Sequence, residues 1–171
     1  MAQSQDHPGQ QGAGGHYVSF LTGWDKWRGE DVGKDRFITM QLVKLDTDSK
    51  TIVHSSAGHT PGYIIGQKGE IKDKMKRTGK ALGVTPDASY EVDSPVQLEK
   101  GDIILLQTDG VAETANAAGE LFGAHRVVDE LHKNRDLSAV EIVDSVFKKV
   151  TNFSDYAEQE DDYTMIVVKV L

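Results

Sequence analysis

Three places in this 171-residue chain carry side chains suited to binding a hard cation or moving a proton. The first is Asp109-Gly110, at the end of Gly101-Asp102-Ile103-Ile104-Leu105-Leu106-Gln107-Thr108. Ile103 to Leu106 reads as a strand buried on both faces. A carboxylate at the tip of such a strand costs free energy unless something pairs with it, and a hard metal ion would do so at a fixed point. An ordinary Asp-Gly turn is the alternative. The second place is Glu160-Asp161-Asp162, directly before the apolar run Met165-Ile166-Val167-Val168. If the two strands are neighbours in one sheet, Asp109 and Asp161 can reach the same ion. A solvated acidic turn is the alternative. The third is His59, after Gly58 at another strand end, able to bind metal or to hydrogen-bond a ligand. A turn histidine bonded to nearby backbone is the plainer reading. His54, within the strand, reads as a half-buried structural residue.

The elements that must position these residues follow from the apolar pattern. Phe37 to Leu45 reads as a strand, Asp46-Thr47-Asp48-Ser49 as a turn and Thr51 to Ala57 as the returning strand. Tyr63-Ile64-Ile65 is a third strand. Glu70 to Met75 is polar enough for a sheet edge, and 77–87 reads as a loop, with Gly83 and Asp87 able to border the site. Tyr90 to Leu98 is expected to pair with Asp102 to Gln107 across the Glu99-Lys100-Gly101 turn. After Asp109 the period changes. Ala124 to Lys133 sets Val127, Val128 and Leu131 on one helical stripe. Ser138-Ala139-Val140-Glu141 is a capping box, and Val140, Val143, Phe147 and Val150 follow at helical spacing. A polar loop, 152–160, leads to a last strand from Tyr163 to Leu171. Strands first, then two helices, then a strand: the expected class is α+β, antiparallel sheet covered by helices. There is no internal repeat.

Composition bounds the function. The net charge of −8 argues against nucleic acid or an anionic membrane as partner. The absence of cysteine excludes disulfides and thiolate zinc sites. No apolar run approaches membrane-spanning length and no signal-peptide pattern opens the chain, so the default expectation is a cytoplasmic protein. Met1 to His16 is rich in Gln and Gly and reads as a disordered tail before a domain over 17–171. Trp24 and Trp27 suit one helical face docking on a core.

Thr108-Asp109-Gly110-Val111, Glu113 and Ala118-Gly119-Glu120-Leu121-Phe122-Gly123 together resemble the sporulation stage II protein E-type phosphatases. These are a branch of the metal-dependent protein phosphatase 2C superfamily. Arg36-Phe37-Ile38-Thr39, Ser56-Ala57-Gly58-His59-Thr60-Pro61 and Asp161-Asp162-Tyr163-Thr164 match further motifs in the family's order, so the resemblance spans about 35–171. It implies an αββα fold: two antiparallel sheets packed face to face, flanked by helices. It also implies a serine/threonine phosphatase in which two Mn²⁺ or Mg²⁺ ions activate water against phosphoserine or phosphothreonine. The usual substrates in the family are phosphorylated anti-sigma-factor antagonists. Carried over by motif, Asp109 and Asp161 are metal ligands central to catalysis, Asp162 is the lesser ligand or a turn cap, and His59 is a catalytic candidate. Two acidic motifs of the family's N-terminal part, a Gly-Asp strand and an Asp-Val-Ser-Gly-His-Gly-like turn, do not occur; Gly23-Trp24-Asp25 and Gly29-Glu30-Asp31-Val32 only echo them. The expectation is thus an N-terminally incomplete domain that alone binds Mn²⁺ weakly and turns over little. The competing reading is a phosphatase-derived, non-catalytic regulatory module or a fragment.

Overall fold

The computed structural model describes residues 37–85, 88–155 and 161–171. The expected tail over 1–16, Trp24, Trp27, Asp25, Glu30, Asp31, Arg36, Asp87 and Glu160 lie outside the described residues. The chain forms two compact units. The first takes in the described residues up to His59 together with Arg77–Val96; the second is Thr60–Lys76 with Gln97–Leu171.

In the first unit, β1 (Met40–Asp46) and β2 (Thr51–Ala57) form the expected hairpin, in register from Met40 opposite Ala57 to Asp46 opposite Thr51. Asp46 closes it: its Oδ1 accepts the N–H groups of Asp48 at 3.1 Å and Ser49 at 2.9 Å. Hydrogen bonds from the Ser49 backbone and side chain hold the Asp46 carboxyl below its usual range. β2 is buried for most of its length, His54 included, at 4% exposure; His54 is a core residue, not a half-buried one. Asp93, 3.7 Å from His54 Nε2, pairs with it from the loop side.

The expected hairpin between Tyr90–Leu98 and Asp102–Gln107 does not form. Only β5 (Val96–Gln97) is extended there, and it lies beside β2 in the order β1-β2-β5. Two contacts explain the difference. The Asp93 N–H donates to the His54 carbonyl, and Tyr90 is buried against Ala57 and Leu82. A strand's alternation shows which face is apolar but not which strand pairs with it.

The second unit is a four-stranded antiparallel sheet in the order β4-β3-β6-β7, from β3 (Gly62–Ile65), β4 (Ile71–Met75), β6 (Ile103–Gln107) and β7 (Met165–Lys169). β4 sits at the edge, as its polarity predicted. β6 is central, Ile103 to Leu105 being buried, as four consecutive apolar residues require. Helices α1 (Asp109–Glu113), α2 (Gly123–Lys133) and α3 (Ala139–Phe153) separate β6 from β7. Val127, Val128 and Leu131 of α2 pack with Tyr63, Ile65, Ile103 and Leu105 of the sheet. The Ser138 capping box is present: Ser138 Oγ accepts from the Glu141 N–H, and the Glu141 carboxylate from the Ser138 N–H. The buried stripe of α3 is Ile142, Val146 and Val150, however; Val140 is 71% exposed. Of the apolar set read from the sequence, Val150 is in this stripe and Phe147 packs partly buried against the core, while Val140 is not covered, because α3 is apolar on more than one side and only packing selects the face that is covered. Among the described residues no helix is long and apolar enough to cross a membrane.

One ion pair anchors the sheet. Asp102, 1% exposed, accepts from Lys72 Nζ at 2.9 Å and from the Glu99 N–H at 2.9 Å. Burial pulls the Lys72 amine down, but its hydrogen bonds and charge interactions with Asp102 and Glu99 outweigh that and leave it raised. Removing the cation while keeping the stem leaves a buried carboxylate uncompensated. Lys72→Met is therefore expected to cost about 3 kcal/mol, read as a lowered urea midpoint at unchanged m-value; a midpoint like that of the parent would show that solvent already screens the pair.

Candidate metal centre

The site is built where β6 ends and where β7 begins. Gln107 lies opposite Met165, so the residues beyond each strand, Thr108-Asp109-Gly110 and Asp161-Asp162-Tyr163-Thr164, run alongside one another. The pairing continues irregularly: Thr108 N–H donates to the Thr164 carbonyl at 3.0 Å.

Thr108 does more than extend the ladder. It is the N-cap of α1, yet its hydroxyl makes no capping bond. Instead Oγ1 donates to the Asp162 carbonyl at 3.1 Å and accepts the Thr164 N–H at 3.1 Å. A threonine in this position ordinarily satisfies its own helix, worth about 1 kcal/mol. Here that hydroxyl is spent on fixing the acidic segment.

Asp109 opens α1 and is exposed, so the expected buried carboxylate at a strand tip is not found. Gly110 is buried and helical, with no turn at this point. Its lack of a side chain serves close approach: an added Cβ would stand 2.7 Å from the Asp162 carbonyl oxygen and 3.4 Å from Asp161 Cβ. The segments bearing Asp109 and Asp161 therefore meet with only a glycine's width between them.

Asp161 and Asp162 are also exposed. Asp161 Oδ1 accepts the Asp162 N–H at 2.8 Å, so Asp161, rather than Asp162, caps this turn with its own side chain. Tyr163, half-buried, stacks on Phe147 of α3 with ring centroids 6.3 Å apart. The loop after α1 is pinned by Arg126, which donates to the Leu121 and Phe122 carbonyls and pairs with Glu120. That guanidinium holds the exposed Glu120 carboxyl below its usual range. At the end of β6 the side-chain amide of Gln107, 3% exposed, has no hydrogen-bond partner at either end among the described residues. Such a group costs about 1–3 kcal/mol.

His59 belongs to the first unit. Its Nδ1 lies 3.0 Å from Thr39 Oγ1, and Arg77 Nε donates to its carbonyl at 3.3 Å. The Thr39 bond joins two of the sequence motifs. Gly58 before it has φ +67° and would meet the Ala81 backbone 2.7 Å from an added Cβ, so both its conformation and the close approach require glycine. The same loop contains Gly83, at φ +85°.

Three carboxylates on two facing segments are hard oxygen donors, the type that Mg²⁺ and Mn²⁺ prefer. Among the described residues no group of three or more His, Asp and Glu side chains closes on one point, so these donors match such an ion in chemical kind only. The sequence had marked Asp109, Asp161 and Asp162, but not the part of the Thr108 hydroxyl, which ties their segments together. A hydroxyl beside an acidic residue reads as a helix cap, and nothing in the spacing shows a bond reaching more than fifty residues along the chain.

The protein resembles curated proteins along most of its length. It is 31% identical over 132 residues to protein IcfG of Synechocystis sp., covering 77% of this chain and 20% of that protein. It is 31% identical over 142 residues to phosphoserine phosphatase RsbU of Bacillus subtilis, covering 82% of this chain and 41% of the relative. The chain thus spans less than half the length of these curated relatives. Among solved structures, the SiaA-PP2C domain of Pseudomonas aeruginosa superposes with a TM-score of 0.65 at 20% identity, over 91% of this chain and 69% of that one. The mixed α+β fold with antiparallel sheets is that of the PP2C-like domains. The family model for stage II sporulation protein E (SpoIIE) matches residues 20–171, and the chain belongs to that family.

Proposed function

We propose that the protein is a metal-dependent serine/threonine phosphatase domain acting on a phosphorylated regulatory protein of the anti-sigma-factor-antagonist type. The observation that carries this reading is the meeting of the Asp109 and Asp161 segments across Gly110. Family membership and the phosphoserine phosphatase named among its relatives support the reaction class. Asp109 and Asp161 are the ligands of a Mn²⁺ or Mg²⁺ ion, with Asp162 the lesser ligand. A bound pair of such ions would supply an acidified water and hold the phosphoryl oxygens. The chain's own part is to present anionic oxygens at fixed separation, exposed enough for a phosphoserine to reach. His59 is the remaining catalytic candidate, its ring oriented by Thr39.

The test is phosphate release from a phosphoserine protein with and without Mn²⁺. It is run on this chain and on the chain joined to the two acidic segments that its sequence does not contain. The expected result is little turnover in the first case and Mn²⁺-dependent turnover in the second. Failure of the extended chain to hydrolyse phosphoserine, with Mn²⁺ still bound, would favour the non-catalytic regulatory module.

A further inference from the structure

Thr114 closes α1 and stands between the two acidic segments. Its Oγ1 lies 2.8 Å from the Gly110 carbonyl oxygen and 2.7 Å from the Tyr163 hydroxyl. A threonine hydroxyl has one proton, and the carbonyl can only accept it. So Thr114 donates to Gly110, and Tyr163 donates to Thr114. The chain of bonds therefore runs in one direction, from Tyr163 through Thr114 to the backbone of Gly110. It begins two residues after Asp161 and ends one residue after Asp109. Thr108 ties the same two segments on their other side.

We propose that Tyr163 and Thr114 form a latch that positions the Asp109-bearing helix against the Asp161-bearing segment, so that both carboxylates meet one divalent ion. This rests on the metal-site reading above. The physical case is one of lever arms. α1 has only five residues, too few to hold its own direction. What fixes the Asp109 side chain is therefore whatever fixes α1. Val111 buries the middle of α1 in the core, Thr108 ties the N-terminal end, and at the C-terminal end the Tyr163–Thr114 bond acts beside the bond from the Phe122 N–H to the Thr114 carbonyl. The Tyr163 ring is itself held by stacking on Phe147, so the latch is anchored on α3, the longest helix described. Groups that orient metal ligands from outside commonly change metal affinity by tenfold or more when removed.

The experiment is Mn²⁺ binding to the 171-residue chain, followed by the electron paramagnetic resonance signal of free Mn²⁺ into the millimolar range, alongside urea unfolding of the same samples. Tyr163→Phe keeps the ring and its stacking and removes only the hydroxyl. It is expected to raise the Mn²⁺ dissociation constant about tenfold. Thr114→Val should do at least as much, Thr114→Ser should restore the parent value, and the Tyr163→Phe/Thr114→Val pair should lose no more than Thr114→Val alone, because both act on one chain of bonds. A lowered urea midpoint with an unchanged dissociation constant would reduce the latch to a structural bond and overturn the proposal. Asp109→Asn is the control. If it weakens Mn²⁺ binding and Tyr163→Phe does not, only the latch fails; if Asp109→Asn binds like the parent, the metal site fails and the latch with it.

Discussion

Asp109→Asn is expected to weaken Mn²⁺ binding and, in the chain joined to the two further acidic segments, Mn²⁺-dependent phosphate release, by more than about a hundredfold while leaving the fold intact. Both halves of that expectation come from the geometry. Asp109 is exposed on the first turn of α1, so its charge supports no buried pair. Asparagine keeps the shape and the first-turn position, and exposed substitutions of this kind change stability by about 0.5 kcal/mol or less. The loss should then fall on the ion alone. Asp161→Asn should behave alike for metal, and the Asn oxygen can still accept the Asp162 N–H that Asp161 Oδ1 now accepts. Calorimetric titration with Mn²⁺, set beside a thermal melt, separates the two effects. An unchanged affinity in both variants would mean that these carboxylates are solvated turn residues, and a large drop in melting temperature would mean that they are structural.

Much of this was legible because it is local. The β1–β2 hairpin shows in its turn residues, β4 in its polarity, α2 in its stripe and α3 in its capping box. Each is a pattern within a dozen residues, where hydrogen-bonding propensity and side-chain period act directly. Pairing is not local. Nothing within Tyr90–Leu98 says that Asp93 will bond to His54 rather than join β6. The site divides in the same way. Asp109 and Asp161 are visible as carboxylates at the ends of apolar runs, and their motifs place the chain in a family. Their mutual approach depends on Thr108, whose hydroxyl leaves its own helix to bond residues beyond position 160. The Asp-Gly turn that was the alternative at Asp109-Gly110 does not form; Gly110 is a helical residue whose value is the space it leaves for the Asp162 carbonyl. A glycine needed for its dihedral angle and a glycine needed for its emptiness look the same in a sequence.

That distinction makes Gly110→Ala a sharp test. Were Gly110 only a flexible helical residue, alanine would stabilise α1 by about 1 kcal/mol through its higher helix propensity. The structure predicts the opposite sign. The new methyl would lie 2.7 Å from the Asp162 carbonyl oxygen, a backbone atom that cannot rotate away as a side chain would. Relief requires the acidic segment to move outward, stretching the Thr108 and Tyr163–Thr114 bonds that hold it. Overpacking of this kind costs about 1–3 kcal/mol. Set against the propensity gain, the net effect on unfolding is a loss of up to about 2 kcal/mol. The effect on metal should be larger in proportion, because parting the segments separates Asp109 from Asp161. The expected result is at least a tenfold weaker Mn²⁺ complex, on the scale of losing an outer-shell group. Gly110→Ala and Asp109→Asn then differ in a readable way: the first lowers both the urea midpoint and the affinity, the second the affinity alone. A Gly110→Ala protein that is more stable than the parent and binds Mn²⁺ equally well would show that the acidic segment yields freely, and that the two carboxylates are not held together by the close approach at Gly110.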